Sequence, residues 1–288
     1  MTLHSEQPGL IDGARPLPAI PRTALVTGAA RRIGRCVALD LAAHGYAVAV
    51  HYNGSAEDAD AVVAQIVSAG GRAVALAADL SVEAEVAALM PAATAALGPV
   101  GVLINNASTF EYDAVTTATR DSWDFHMEVN LRAPFVLSQA LVAQLPDDAG
   151  GTIINLIDQR VWNLTPHFMT YTVSKAGLWT LTRTMAMALA PRIRVNAIGP
   201  GPTLASVHQD HEGFRAQCDK MPLRRGTSPA EIAAAIRFLI DAQAMTGQML
   251  ALDGGQHLGW AQAPHGSGPH GSEPHPGAGG GAHDAALD

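Results

Sequence analysis

The sequence is short of charge, aromatic residues, cysteine and long apolar runs, and each shortage excludes something. Charged residues make up only 15% of the 288 residues, against 48% hydrophobic, so a sizeable core is within reach. The charge that is present sums to -8, which argues against a general binder of nucleic acid or anionic membrane. No apolar stretch reaches the roughly 20 residues of a membrane span. The two cysteines, Cys36 and Cys218, are far apart and outside any metal-ligand spacing, which fits a reduced, cytoplasmic protein. The first twenty residues hold Glu6 and Asp12 and no basic start followed by an apolar stretch, so no signal peptide is expected. The length suits one large α/β domain or two small ones.

What is there alternates. Residues 1–20 are rich in Pro and Gly without periodicity and read as a loose leader. Apolar runs then predict strands at Thr23–Thr27, Tyr46–His51, Arg72–Ala77, Val100–Asn105, Thr152–Ile157, Arg192–Ile198 and Met249–Leu252. Between them lie helical patterns: one around Ile33, Val37 and Leu41, and one capped by Ser55 with Ala59, Val62, Val63 and Ile66 inward. A third is capped by Ser81, and Pro91 should kink or end it. A long helix is expected over Asp121–Leu145, another from near Met169, and a last one over Ala233–Ile240. Strict alternation means a parallel sheet covered on both faces. Residues 261–288 contain Gly, Pro, Ala and four histidines and read as a disordered tail. His265, His270 and His275 fall on no common helix face, and no metal site is expected.

Two stretches carry chemistry. Gly28-Ala-Ala-Arg-Arg-Ile-Gly34 follows a strand and opens a helix, the arrangement that cradles a pyrophosphate on a helix N-terminus. The second strand ends in His51-Tyr52-Asn53-Gly54-Ser55, without the acid that would bind ribose hydroxyls. Arg31 and Arg32 sit in the turn instead, which suits a 2′-phosphate and hence NADPH. Asp79, beside Leu80 after the third strand, either meets the adenine or only leads into a helix. The other stretch runs from Asp158 to Lys175. Tyr171 and Lys175 are four apart and share a helix face, and an ammonium beside a phenol lowers the phenol's pKa. Asp158 ends a strand and can face the same site.

Taken in order, these pieces resemble the short-chain dehydrogenase/reductase family over about residues 21–258. The carriers are Thr27–Gly34, Asn105-Asn106-Ala107, Asn130, Tyr171-x3-Lys175 and Pro200-Gly201. The resemblance implies a single α/β domain over residues 21–260, a Rossmann-type doubly wound parallel sheet of seven strands. It also implies a substrate lid over about 202–228 and a homotetramer. Two departures narrow it: Arg32 stands where the family has glycine, and Asp158 where it has a catalytic serine, thirteen residues before Tyr171. Both recur in the pteridine reductases and dihydromonapterin or dihydrofolate reductases, which this chain is also similar to at His51-Tyr52, Asn106–Phe110 and Leu252–His257.

By that resemblance Asp158, Tyr171, Lys175 and Asn130 manage protons, Asn130 by holding a water. Gly28, Arg31, Arg32, Ile33, Gly34, His51, Tyr52, Asn53, Ser55, Asp79, Leu80, Asn106, Ala107 and Ser108 line the cofactor. Tyr171, Lys175, Pro200, Gly201 and Thr203 join them around the nicotinamide. Arg32, Ser108, Phe110, Asp158 and Tyr171 contact the pterin, with Phe110 stacked on it; Trp162 and Phe168 line the pocket. An ionised Asp158 would oppose a phenolate and keep Tyr171 a donor, which favours reduction and a substrate rich in N–H groups. The expected function is hydride transfer from NADPH to a ring C=N of a dihydropterin. The alternatives are a general carbonyl or 3-oxoacyl reductase, and an idle NADPH-binding sensor or scaffold.

Overall fold

The computed structural model describes residues 17–204 and 211–259. The leader before Leu17, part of the lid, and the histidine-bearing tail lie outside the described residues. All seven predicted strands are present: β1 (Thr23–Val26), β2 (Ala47–Tyr52), β3 (Ala73–Ala77), β4 (Val102–Asn105), β5 (Gly151–Leu156), β6 (Ile193–Pro200) and β7 (Met249–Leu252). They form one parallel sheet in the order β3-β2-β1-β4-β5-β6-β7. β1, β2, β4 and β5 are buried along almost their full length, as apolar strands covered on both faces must be.

Helices cover the two faces. On one lie α1 (Arg32–Ala43), α2 (Ala56–Ser68) and α8 (Pro229–Asp241), with Val37, Leu41, Val62, Ile66, Ile232 and Ile236 packed on the sheet. On the other lie α3 (Glu83–Leu97), α4 (Arg120–Met127), α5 (Ala133–Gln144) and α6 (Met169–Leu189), packed through Val86, Leu89, Leu137, Leu141 and Met185. A further helix, α7 (His211–Asp219), stands in the expected lid. The chain is thus an α/β protein of Rossmann type, doubly wound around one seven-stranded sheet.

Three local expectations are corrected and one is narrowed. Ser55 precedes α2 but makes no side-chain cap. Ser81 caps nothing: α3 starts after Val82, and Ser81 instead donates from N and Oγ to the Asp79 carboxylate. Pro91 sits inside α3 without ending it. The carbonyl it deprives, that of Ala87, is on an exposed turn where water can serve it. The long helix over Asp121–Leu145 is interrupted by a π-helical turn, Glu128–Arg132, between α4 and α5.

The sheet's amino-terminal edge is fastened by arginines. Arg194 is 5% exposed and donates to the carbonyls of Leu239, Ile240, Ala242 and Met245 at the end of α8. Arg192 does the same for Leu145, Pro146 and Ala149 after α5. Both satisfy carbonyls that a helix end leaves without partners. The opposite, carboxyl-terminal edge is where parallel strands of this class present ligands.

Candidate active site

At that edge β1 runs into the turn Thr27–Arg31 and α1. The turn is held from both sides. Asn106 Nδ2 donates to the carbonyls of Thr27 (2.8 Å) and Gly28 (3.2 Å), and the backbone N–H groups of Asn106 and Ala107 donate to Thr27 Oγ1. Gly28 has φ +61°, and a Cβ on Gly34 would meet the Gly28 carbonyl at 2.1 Å. Glycine is required at both places, one for conformation and one for close approach.

His51 sits beneath this turn. Its buried ring accepts the Gly28 N–H at Nδ1 (3.0 Å) and bonds the Ala78 carbonyl through Nε2 (3.1 Å), which makes it the neutral Nε2–H tautomer. Burial lowers its pKa, with the Ala78 carbonyl opposing. His51 therefore shapes the turn from below; its side chain does not reach the cavity above. Leu80 is buried in the core. Asp79 is engaged with Ser81, Arg31 with Asp58, and Asn53 is exposed.

A cavity of about 530 Å³ opens beside the turn. It gathers Arg32, Ile33, Asn106, Ser108, Phe110, Asp158, Phe168, Tyr171, Lys175, Pro200, Gly201 and Thr203, twelve of the residues named from sequence. Gln159, Arg160, Phe214 and Gln256 also line it. Trp162 does not; it packs edge-on against Trp179 and His257 instead.

Arg32 reaches the cavity from a left-handed backbone, φ 51°. That explains glycine in related turns: this residue needs a conformation that a side chain disfavours. Its guanidinium donates to the Leu204 carbonyl at 3.3 Å, across the cavity from the lid.

Asp158, Tyr171 and Lys175 lie at the end of β5 and the first turns of α6. Tyr171 Oη donates to Asp158 Oδ2 at 3.0 Å, and Asp158 Oδ1 accepts the Arg160 N–H at 2.8 Å. Lys175, also buried, donates from Nζ to the Leu156 carbonyl at 2.9 Å. Burial first, then the Asp158 charge and hydrogen bond, push Tyr171 well above the usual phenol range; Arg160 and Ser108 oppose them. The Lys175 ammonium lies 5.9 Å from the centre of the Tyr171 ring, but burial and Asp158 outweigh it, and the phenol is raised where the four-residue spacing suggested a lowering. Burial lowers Lys175 itself to about 8, with Asp158 resisting. Burial also raises Asp158, against the pull of the Arg160 N–H, the Arg160 charge, Tyr171 and Lys175.

Asn130 lies in the π-helical turn and is fully buried. Its Nδ2 donates to the Thr109 carbonyl and Ser174 Oγ, and its Oδ1 accepts from Thr109 N and Ser108 Oγ. The side chain is a brace between the loop after β4 and α6. A water held at Asn130 would have to be held by its main chain.

A second brace has no signature in the sequence. Asp113 is 3% exposed and accepts from Thr170 N (3.1 Å), Thr170 Oγ1 (2.5 Å) and Ser122 Oγ (3.2 Å). Its carbonyl accepts the Phe168 N–H at 2.8 Å. Buried His126 bonds Thr170 Oγ1 at 2.8 Å and accepts the Glu111 N–H at 3.1 Å. Together they cap α6 just ahead of Tyr171, where Phe168, the residue at the N-cap, gives no side-chain bond. Asp113 and Thr170 are 57 residues apart, so no spacing pattern could have joined them.

The aromatic wall completes the site. Phe110 stands edge-on to Tyr171 at 4.7 Å and stacks on Phe168 at 4.3 Å and 12°.

The fold agrees with the comparisons. The model for the enoyl-(acyl carrier protein) reductase family matches residues 28–257. The chain belongs to the short-chain dehydrogenase/reductase family. Among curated relatives, a 3-oxoacyl-[acyl-carrier-protein] reductase of Staphylococcus epidermidis is 34% identical over 242 residues, covering 82% of this chain and 99% of that one. Among solved structures, the FolM alternative dihydrofolate reductase 1 of Brucella suis, crystallised with NADP, is 46% identical with a TM-score of 0.81. It covers 85% of this chain and 97% of that one. A blue fluorescent protein from a metagenomic library, complexed with NADPH, is 34% identical with a TM-score of 0.76, covering 81% and 97%.

Proposed function

We propose that the chain is an NADPH-dependent reductase that delivers hydride to a ring C=N of a dihydropterin. The Tyr171–Asp158 hydrogen bond carries the reading. A serine at position 158 would donate to a substrate carbonyl; a carboxylate only accepts, and it holds Tyr171 protonated. A pocket that offers an acceptor, a protonated phenol and an aromatic face suits a flat ring bearing N–H donors better than a bare ketone. The likeness to the Brucella protein supports the same reading.

The donor set fits the cofactor. Gly28 and Gly34 leave room for a pyrophosphate at the start of α1, and no carboxylate stands at the end of β2 to repel a 2′-phosphate. Arg31 would meet that phosphate at the cost of its pairing with Asp58. Lys175 and the Pro200–Thr203 segment hold the nicotinamide half. Bound NADPH supplies the hydride. Tyr171 donates the proton to ring nitrogen when a fully oxidised pterin is reduced, and solvent does so at the C6–N5 bond. Phe110 holds the pteridine flat, and Asp158 accepts from its N–H edge.

The second reading, a 3-oxoacyl reductase, is favoured by the Staphylococcus relative. One assay separates them: NADPH oxidation with dihydrofolate, dihydromonapterin, dihydrobiopterin and a panel of ketones and 3-oxoacyl thioesters, with NADH as control. Turnover of pterins supports the proposal. Turnover of ketones or thioesters alone overturns it, and cofactor binding without any turnover leaves the sensor reading.

A further inference from the structure

The cavity contains more polar chemistry than ring reduction uses, and Arg160 is its clearest surplus. Its guanidinium lies 5.0 Å from the centre of the Phe168 ring. Phe168 stacks on Phe110, which meets Tyr171, so the guanidinium stands two rings outward from the proton donor. Nη1 donates to Thr165 Oγ1 at 2.7 Å. Nε is sealed from solvent without an acceptor, so the donor left for a ligand is Nη2, which bonds no group among the described residues. Among the described residues Arg160 forms no ion pair. Asp158 does not fill the role, because its carboxylate takes the backbone N–H of Arg160 and the Tyr171 hydroxyl. Gln159 Oε1 and Gln256 Oε1, on the same cavity, also lack a partner.

A guanidinium laid on an aromatic ring, with part of its planar fork unused, is a receptor for a carboxylate. We infer that Arg160 receives a carboxylate on the substrate's side chain. The site then takes pteridines with an arylglutamate tail, the folate class, in preference to those with a neutral hydroxyalkyl chain. The pteridine lies at Phe110 and Tyr171, and the tail runs outward past the Phe110–Phe168 stack to the guanidinium. This rests on the pteridine reading above. The plainer role, in which Arg160 only covers Phe168, would serve both substrate classes equally.

The test compares dihydrofolate with dihydrobiopterin on the full chain with NADPH. In Arg160→Gln the KM for dihydrofolate should rise about 10- to 100-fold, the range of one lost charge-assisted hydrogen bond. Because the Arg160 charge also acts on Asp158 and Tyr171, any change in kcat should be shared by both substrates, while the ratio of kcat/KM for dihydrofolate over dihydrobiopterin should fall about 10- to 100-fold. Arg160→Lys keeps the charge without the fork and should lie between. Added salt should raise the dihydrofolate KM of the unaltered chain and leave that of Arg160→Gln flat. Equal KM shifts for both substrates would overturn the inference, as would an unaltered chain that reduces dihydrobiopterin and has no advantage on dihydrofolate. If neither pteridine is reduced, the functional reading itself falls, a result distinct from both. Thermal melts of the two variants separate loss of folding from loss of binding.

Discussion

Tyr171 shows how far a single residue can be read before its surroundings are known. Its spacing to Lys175 suggested a phenol made acidic by an ammonium. In the structure burial and Asp158 make it the reverse, a phenol that keeps its proton. The alkaline limit of catalysis then cannot be the phenol. It falls to Lys175, whose ammonium is lost as pH rises through about 8 in the unliganded protein. The kcat/KM for pterin reduction, which reports the free enzyme, is expected to decline above that pH; a profile flat to pH 10 would contradict it. Tyr171→Phe should lower kcat/KM with an oxidised pterin by about 100-fold or more, the usual worth of a positioned acid. Asp158→Ser should move the enzyme toward carbonyls, raising the ratio of ketone to pterin turnover in a competition assay. Asp158 was legible because it breaks a familiar spacing. Arg160 and Gln159, its neighbours, were not, because nothing in Asp-Gln-Arg says which way a short turn points its side chains.

At the scale of elements, the strands were legible and the joints between helices were not. Seven apolar runs gave seven strands within two residues at each end, since burial on both faces leaves no other composition open. Helix starts were less readable. Ser55 and Ser81 are good capping residues by type, yet neither caps, because capping depends on a backbone turn that the residue itself does not set. The π-helical turn at Asn130 escaped notice because its apolar pattern continues that of its neighbours. The cap of α6 comes from Asp113 on a different loop. Removing it in Asp113→Ala strands the buried N–H of Thr170, whose hydroxyl keeps His126, and should cost about 1–3 kcal/mol, measured by denaturant unfolding. Because the same loop carries Phe110, that variant should also raise the pterin KM more than the NADPH KM.

For the molecule as a whole, α6 leaves an unfinished surface. Val173 and Met187 are 39% and 76% exposed on its outer side. A homotetramer would cover that stripe. Met187→Glu, an exposed change with little cost to the lone chain, is then expected to lower the assembly state seen by light scattering; an unchanged mass would remove α6 from the interface.

The same large view gives weight to the arginines at the sheet's other edge. Arg192 and Arg194 bind helix ends together at one pole, while every group assigned to chemistry gathers at the opposite pole. The sheet thus separates a foundation from a workshop. Changes in the loops around Phe110, Arg160 and Leu204 can redirect the substrate while the clamps beneath stay intact. Damage to the clamps, as in Arg194→Met, should lower the melting temperature and leave substrate preference in the surviving folded molecules as it was. A protein arranged this way can exchange one substrate for another without rebuilding what keeps it folded, and that makes its pocket a good starting point for directed change.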